Sequence, residues 1–160
     1  ASCLVGSEMR IRDSVQAQVL PETPAPAVAQ QYSAPVSAPA PVVQEKTQGE
    51  RIVDIARTKI GSPYVYGAAG PNAFDCSGFT SWVYAQAGKS IPRTSQAQAS
   101  AGTPVSLDNI QPGDIVVYCS GASLVAIYAG NGMIIDALND GVPVGERPLS
   151  MMPVHSVVRF

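Results

Sequence analysis

Prolines recur through residues 20–47, which read LPETPAPAVAQQYSAPVSAPAPVVQEKT. Each one removes a backbone donor and fixes φ, so neither a helix nor an interior strand runs through this stretch. It reads as an extended, polyproline-like linker or strap. The chain therefore divides into an N-terminal segment of unassigned structure over 1–19, the Pro/Ala-rich segment over 20–47, and a domain over 48–160. That last part is long enough to bury a hydrophobic core of its own.

Within 48–160 the hydrophobic period changes once. GERIVDIARTKIG places Ile52, Val53, Ile55, Ala56 and Ile60 on one helical stripe, with Gly61 to end it. A loop rich in Pro and Gly follows, SPYVYGAAGPNAFD. SGFTSWVYAQAG fits a second helix ending at Gly88, with Phe79, Val83 and Ala87 inward. A short helix is expected over Ser95–Ala101, capped by Thr94. DIVVYC and LVAIYA are β-branched and aromatic runs of strand length. AGNG supplies a tight turn after them, MIIDAL returns, and PVGERPL and VHSVVRF are weaker strands. Helices followed by hairpin-linked strands predict an α+β domain, its helices packed on an antiparallel sheet.

Charge and composition narrow the function. A net charge of −2 with the signs interspersed argues against a nucleic-acid surface. No window reaches the roughly 18 uncharged apolar residues of a membrane span. The cysteines are Cys3, Cys76 and Cys119, an odd count. Each could be a small buried hydrophobe, and a Cys3–Cys119 bridge would spare Cys76. One histidine and three scattered cysteines show no ligand spacing, so neither a metal nor another cofactor is expected.

Cys76 is the candidate nucleophile. In FDCSGF it opens the second helix, where free amide N–H groups and the helix dipole favour a thiolate. The dipole is worth about 0.3–1 kcal/mol, less than one pKa unit from a free value near 8.5. An adjacent histidine brings such a thiol to roughly 3–4 and later protonates the leaving amine. A cysteine peptidase thus needs an imidazole beside this sulfur.

GSPYVYGAAGPNAFDCSGFTSWVYAQAGKSIPRTSQAQ, LDNIQPGDIVVY and VAIYAGNGMIIDA together resemble the NlpC family of bacterial cell-wall peptidases, especially its mycobacterial and corynebacterial members. The resemblance covers residues 48–160. It implies a papain-like fold, a secreted or wall-associated protein, and peptidoglycan stem peptides as partner. It also implies cleavage between D-isoglutamate and the diamino acid. Cys76 matches the family's nucleophile, while Tyr64, Asp75 and Ser77 match positions that shape the substrate pocket. Beside those roles stand simpler ones: Asp75 as a helix cap and Tyr64 as a packed aromatic.

Aligned on VAIYAGNG, the family's general-base histidine falls immediately before Val125, where this chain has Leu124. The residue that orients the imidazole matches Asp136. A turn centred near Gly130 would set Leu124 and Asp136 opposite each other within about one residue. The only histidine, His155, matches the final strand and is not expected to act as the base. A carboxylate near pKa 4 is a poor direct match for a thiol near 8.5. The expectation is an endopeptidase scaffold whose hydrolysis is strongly impaired. The alternatives are a non-catalytic peptidoglycan-binding protein and a variant with altered thiol chemistry. Residues 1–47 are also a candidate cover for the groove, with a Cys3–Cys119 link as its lock.

Overall fold

The computed structural model describes residues 44–160. The segment 1–19, most of the strap and Cys3 lie outside the described residues. Helix α1, Gln48–Arg57, begins with a complete capping box: Thr47 accepts from the Glu50 N–H, and the Glu50 carboxylate accepts from the Thr47 N–H. It buries Ile52, Val53 and Ala56, while Ile55 packs at the edge of the same core. The helix stops earlier than the predicted stripe. Thr58, Lys59 and Ile60 donate three residues back, tightening the last turn, and Ile60 is exposed. Gly61 then turns left-handed (φ 95°) and donates to the Val144 carbonyl at 2.8 Å. The chain leaves toward the sheet one turn before Ile60 could join the stripe.

Helix α2, Cys76–Gln86, has Asp75 as N-cap. Its inner face carries Phe79, Val83 and Tyr84, all buried, with Ala87 packed beside them. Gly88 (φ 89°) closes it: its N–H donates to Ala85 and that of Lys89 to Tyr84, the Schellman pattern. Helix α3, Ser95–Ala101, is capped by the Thr94 hydroxyl, as predicted.

The sheet has six strands: β1 (Thr103–Val105), β2 (Ile115–Tyr118), β3 (Leu124–Gly130), β4 (Met133–Asp136), β5 (Gly145–Pro148) and β6 (Val154–Arg159). Their order is β1-β6-β2-β3-β4-β5, with every pairing antiparallel. Strand β1 was not legible in the sequence. Its three residues include a proline, and it is a ladder only because β6 returns beside it.

Strands β2 and β3 are buried on both faces, which is why they read as continuous apolar runs. Ile115, Val117, Val125, Ile127 and Ile135 meet the helices. Val116, Tyr118, Leu124, Ala126, Tyr128 and Ile134 form a second cluster on the other face. Leu138, Leu149, Met151 and Met152 pack against that cluster.

The β3–β4 hairpin turns on Asn131 and Gly132, both at positive φ, the signature of a two-residue primed turn. A bulge between Tyr128 and Gly130 takes up one more residue. Continuing the pairing of Ile127 with Ile135 sets Asp136 opposite Ala126 and Leu124 opposite Leu138. Leu124 and Asp136 are therefore two residues out of register rather than within one. They remain diagonal neighbours on one face, because side chains alternate with a period of two.

Candidate active site

Cys76 opens α2 at the floor of a cleft of about 520 Å³ lined by Tyr64, Tyr66, Asp75, Ser77, Arg93 and Ser123, among others. Three segments converge here: the loop before α2, the turn before α3, and the approach to β3. The thiol is half-buried and packs against the cores on both faces of the sheet. Its Sγ donates to the Ser123 carbonyl at 3.7 Å. The Val125 N–H also acts on the sulfur, so the backbone on both sides of Leu124 in sequence meets the thiol. Burial pushes the Cys76 thiol up, and the charge of Asp75 adds to this. The amides of Val125, Ser77 and Cys76 itself pull it down but do not win.

Asp75 caps α2, the simpler of the roles read for it, and lines the cleft. Its Oδ1 accepts from the Gly78 N–H at 2.6 Å, capping α2, and its Oδ2 accepts from the Gly67 N–H at 2.9 Å. Arg93 closes a two-pronged pair on it, Nη1 to Oδ1 at 3.1 Å and Nη2 to Oδ2 at 2.9 Å. Burial works against ionisation, yet Arg93 and the two amides hold the Asp75 carboxyl below the usual carboxylate range. Ser77 accepts from Arg93 Nη1 at 2.9 Å, so one guanidinium joins both sequence neighbours of Cys76. Arg93 is the site residue that sequence reasoning missed. The PRTS motif contained it, but nothing in the spacing revealed a carboxylate across the cleft. Tyr64 lines the same wall, its phenol pushed up by burial and by the neighbouring Cys76 and Asp75.

Gly78 shows how closely the loop is fitted to the helix. A Cβ there would lie 2.1 Å from the Ala68 carbonyl oxygen. That carbonyl accepts from the Asp75 N–H at 2.8 Å, which locks the loop to the start of α2.

The remaining candidates lie elsewhere. Leu124 is buried in the outer-face cluster against which Cys76 packs. Asp136 is fully buried, does not line the cleft, and pairs with Arg147 of β5. Burial pushes its carboxyl up to about 6 despite that cation. His155 is exposed at a bulge of β6, where Val117 faces Ser156 and Tyr118 faces Val154. Cys119 is exposed just past β2, at φ 66°, and unpaired among the described residues, which corrects the reading of it as a small buried hydrophobe.

A helix presenting a cysteine at its N-terminus, packed on an antiparallel sheet, defines a papain-like cysteine-peptidase fold. The model of the NlpC/P60 family matches residues 61–157, and the chain belongs to that family. It is similar to a "probable endopeptidase" of Corynebacterium glutamicum strain R, 56% identical over 146 residues, covering 89% of this chain and 69% of the relative. Among solved structures, NlpC1 of Trichomonas vaginalis matches with a TM-score of 0.68 and 30% identity, over 74% of this chain and 46% of its own. The NlpC/p60 domain of the peptidoglycan hydrolase SagA matches with a TM-score of 0.65 and 36% identity, over 70% of this chain and 98% of that domain.

Proposed function

We propose that this chain is a wall-associated or secreted peptidoglycan endopeptidase scaffold. Its cleft takes stem peptides at Cys76, across the bond between D-isoglutamate and the diamino acid. Tyr64, Asp75 and Ser77 shape the pocket, and Leu124 stands where the general base belongs. Hydrolysis is consequently strongly impaired. The observation that carries this reading is the environment of the sulfur. The thiol proton is directed at a backbone carbonyl, the flanking position on β3 is Leu124, and the chain's one histidine is exposed on β6. A positioned imidazole contributes about 10²–10⁴-fold in each proton transfer, and acyl transfer to and from a cysteine needs two.

The test is a muropeptide digest comparing the chain with Leu124→His. The substitution is expected to raise turnover by about 10²-fold or more. Equal turnover by the two, whether fast or absent, would sink the assignment of position 124.

A second reading, binding without cutting, is favoured by the intact Arg93–Asp75–Ser77 wall around the nucleophile. Calorimetric binding of a wall tetrapeptide with no product over hours supports it. Absence of binding to any stem peptide removes it.

A further inference from the structure

Arg147 is a cation that the cleft does not use. It stands on β5 opposite Ile134, whereas Gly145 stands opposite Asp136. To reach Asp136 its side chain runs back along its own strand. Nη1 donates to Asp136 Oδ1 and, at 3.4 Å, to the Gly145 carbonyl, while Nη2 donates to the Pro143 carbonyl at 2.9 Å. Gly145 makes room for this path, since a Cβ there would lie 3.2 Å from Nη2. The guanidinium is thus anchored on the backbone of β5 and of the preceding segment before it meets the carboxylate.

The carboxylate is only half used. Asp136 is fully buried, and its Oδ2 has no hydrogen-bond partner among the described residues. A buried acceptor left unpaired is costly, so folds seldom keep one without a use. The neighbours on this face of the sheet are Leu124 and Ala126 of β3 and Tyr118 of β2. Tyr118 donates its hydroxyl to the Leu149 carbonyl at 2.9 Å, so that hydrogen is committed elsewhere. The charged or titratable groups facing Asp136 are therefore Arg147 from β5 and the Tyr118 phenol from β2.

We propose that Arg147 is a positioning residue. It binds Oδ1 and keeps Asp136 ionised in one rotamer, with Oδ2 spare as the acceptor for an N–H group brought in at position 124. This role rests on the proposed function, in which position 124 is the site of the base. It accounts together for the bent path of Arg147, the glycine that admits it and the spare oxygen. Burial raises the Asp136 pKa and Arg147 opposes that rise. Without the cation the midpoint would rise toward neutrality, and a larger share of the carboxyl would be protonated and unable to support an imidazolium.

Two measurements separate this role from the peptidase reading. The first is an NMR titration of the Asp136 carboxyl carbon in the chain as it stands, compared with Arg147→Met and Arg147→Lys. Arg147→Met is expected to move the midpoint up by about one unit or more, while Arg147→Lys keeps most of the effect. A midpoint unmoved in a folded Arg147→Met overturns the proposal. If Arg147→Met does not fold, Arg147→Gln, neutral but still a donor, is read in its place by the same criterion. The second is the pH profile of kcat/KM on muropeptide in the Leu124→His background. Adding Arg147→Met is expected to shift the acid limb to higher pH and cut the rate at pH 7 by about 2-fold or more, with Arg147→Lys recovering most of it. A loss of equal size at every pH, with the limb unmoved, would show a merely structural arginine. If Leu124→His does not cut at all, the assignment of position 124 fails and the positioning role falls with it, whereas a cutting Leu124→His with an unmoved midpoint overturns the role of Arg147 alone.

Discussion

Replacing Asp75 tests whether one carboxylate holds the helix that Cys76 opens to its loop. In Asp75→Ala the α2 N-cap is lost, worth about 1 kcal/mol. The Gly67 N–H, bound at 2.9 Å, loses its acceptor but lies in an exposed loop where water replaces it, costing about 0.5 kcal/mol. Arg93 loses both prongs, but its side chain is 41% exposed, so it is not stranded in a dry interior. That loss is about 1 kcal/mol, well short of a fully buried pair. The sum is about 2.5 kcal/mol. With a urea slope of about 1–1.5 kcal/mol per molar, the unfolding midpoint should fall by roughly 2 M. Asp75→Asn keeps one oxygen for the Gly78 N–H and should lose about half as much.

The pH dependence gives a second reading of the same interaction. The Asp75 carboxyl is held below its ordinary range in the folded protein. Its contribution is therefore complete above the unfolded value of about 4 and disappears as pH falls through the folded one. The gap between parent and Asp75→Asn should narrow below about pH 4. An Asp75→Ala midpoint within 0.5 M of the parent, or a gap that does not depend on pH, would refute the reasoning.

Two further outcomes follow from the same coordinates. The Cys76 thiol, raised by burial and by Asp75, should react with iodoacetamide at neutral pH more slowly than a free thiol, which is a few per cent ionised there. Asp75→Asn should speed it up, and a rate–pH midpoint near 4–5 would exclude this environment. Gly49→Ala should destabilise by about 2 kcal/mol, because the new Cβ would lie 1.9 Å from the Pro112 carbonyl oxygen and push α1 off the loop before β2. Gly121→Ala, with nothing within 4 Å, should stay within about 0.5 kcal/mol, both read by urea unfolding.

Local chemistry made much of the fold legible. Thr94 and Asp75 are caps because a short polar side chain before an apolar helix has an orphan N–H to satisfy, and this depends only on neighbours in sequence. The Asn131–Gly132 turn is equally local, since it needs two positive φ angles. Cys76 could be placed at a helix N-terminus for the same reason, and Leu124 and Asp136 could be assigned to facing strands.

Position across the chain was not legible. The Tyr128–Gly130 bulge changes the offset between Leu124 and Asp136, and no residue type announces it. Arg93 meets Asp75 and Ser77 only through folding, 18 and 16 residues away in sequence. Arg147 meets Asp136 only because β5 pairs with β4.

The sequence by itself determined the elements, their caps and the placing of Cys76 at the start of a helix, because those follow from side chains within a few residues of one another. Only the tertiary structure decided which charges meet, how far the thiol is desolvated and which carboxylate oxygen is left without a partner. Those are properties of distance and burial, and they exist only once the sheet has closed around them.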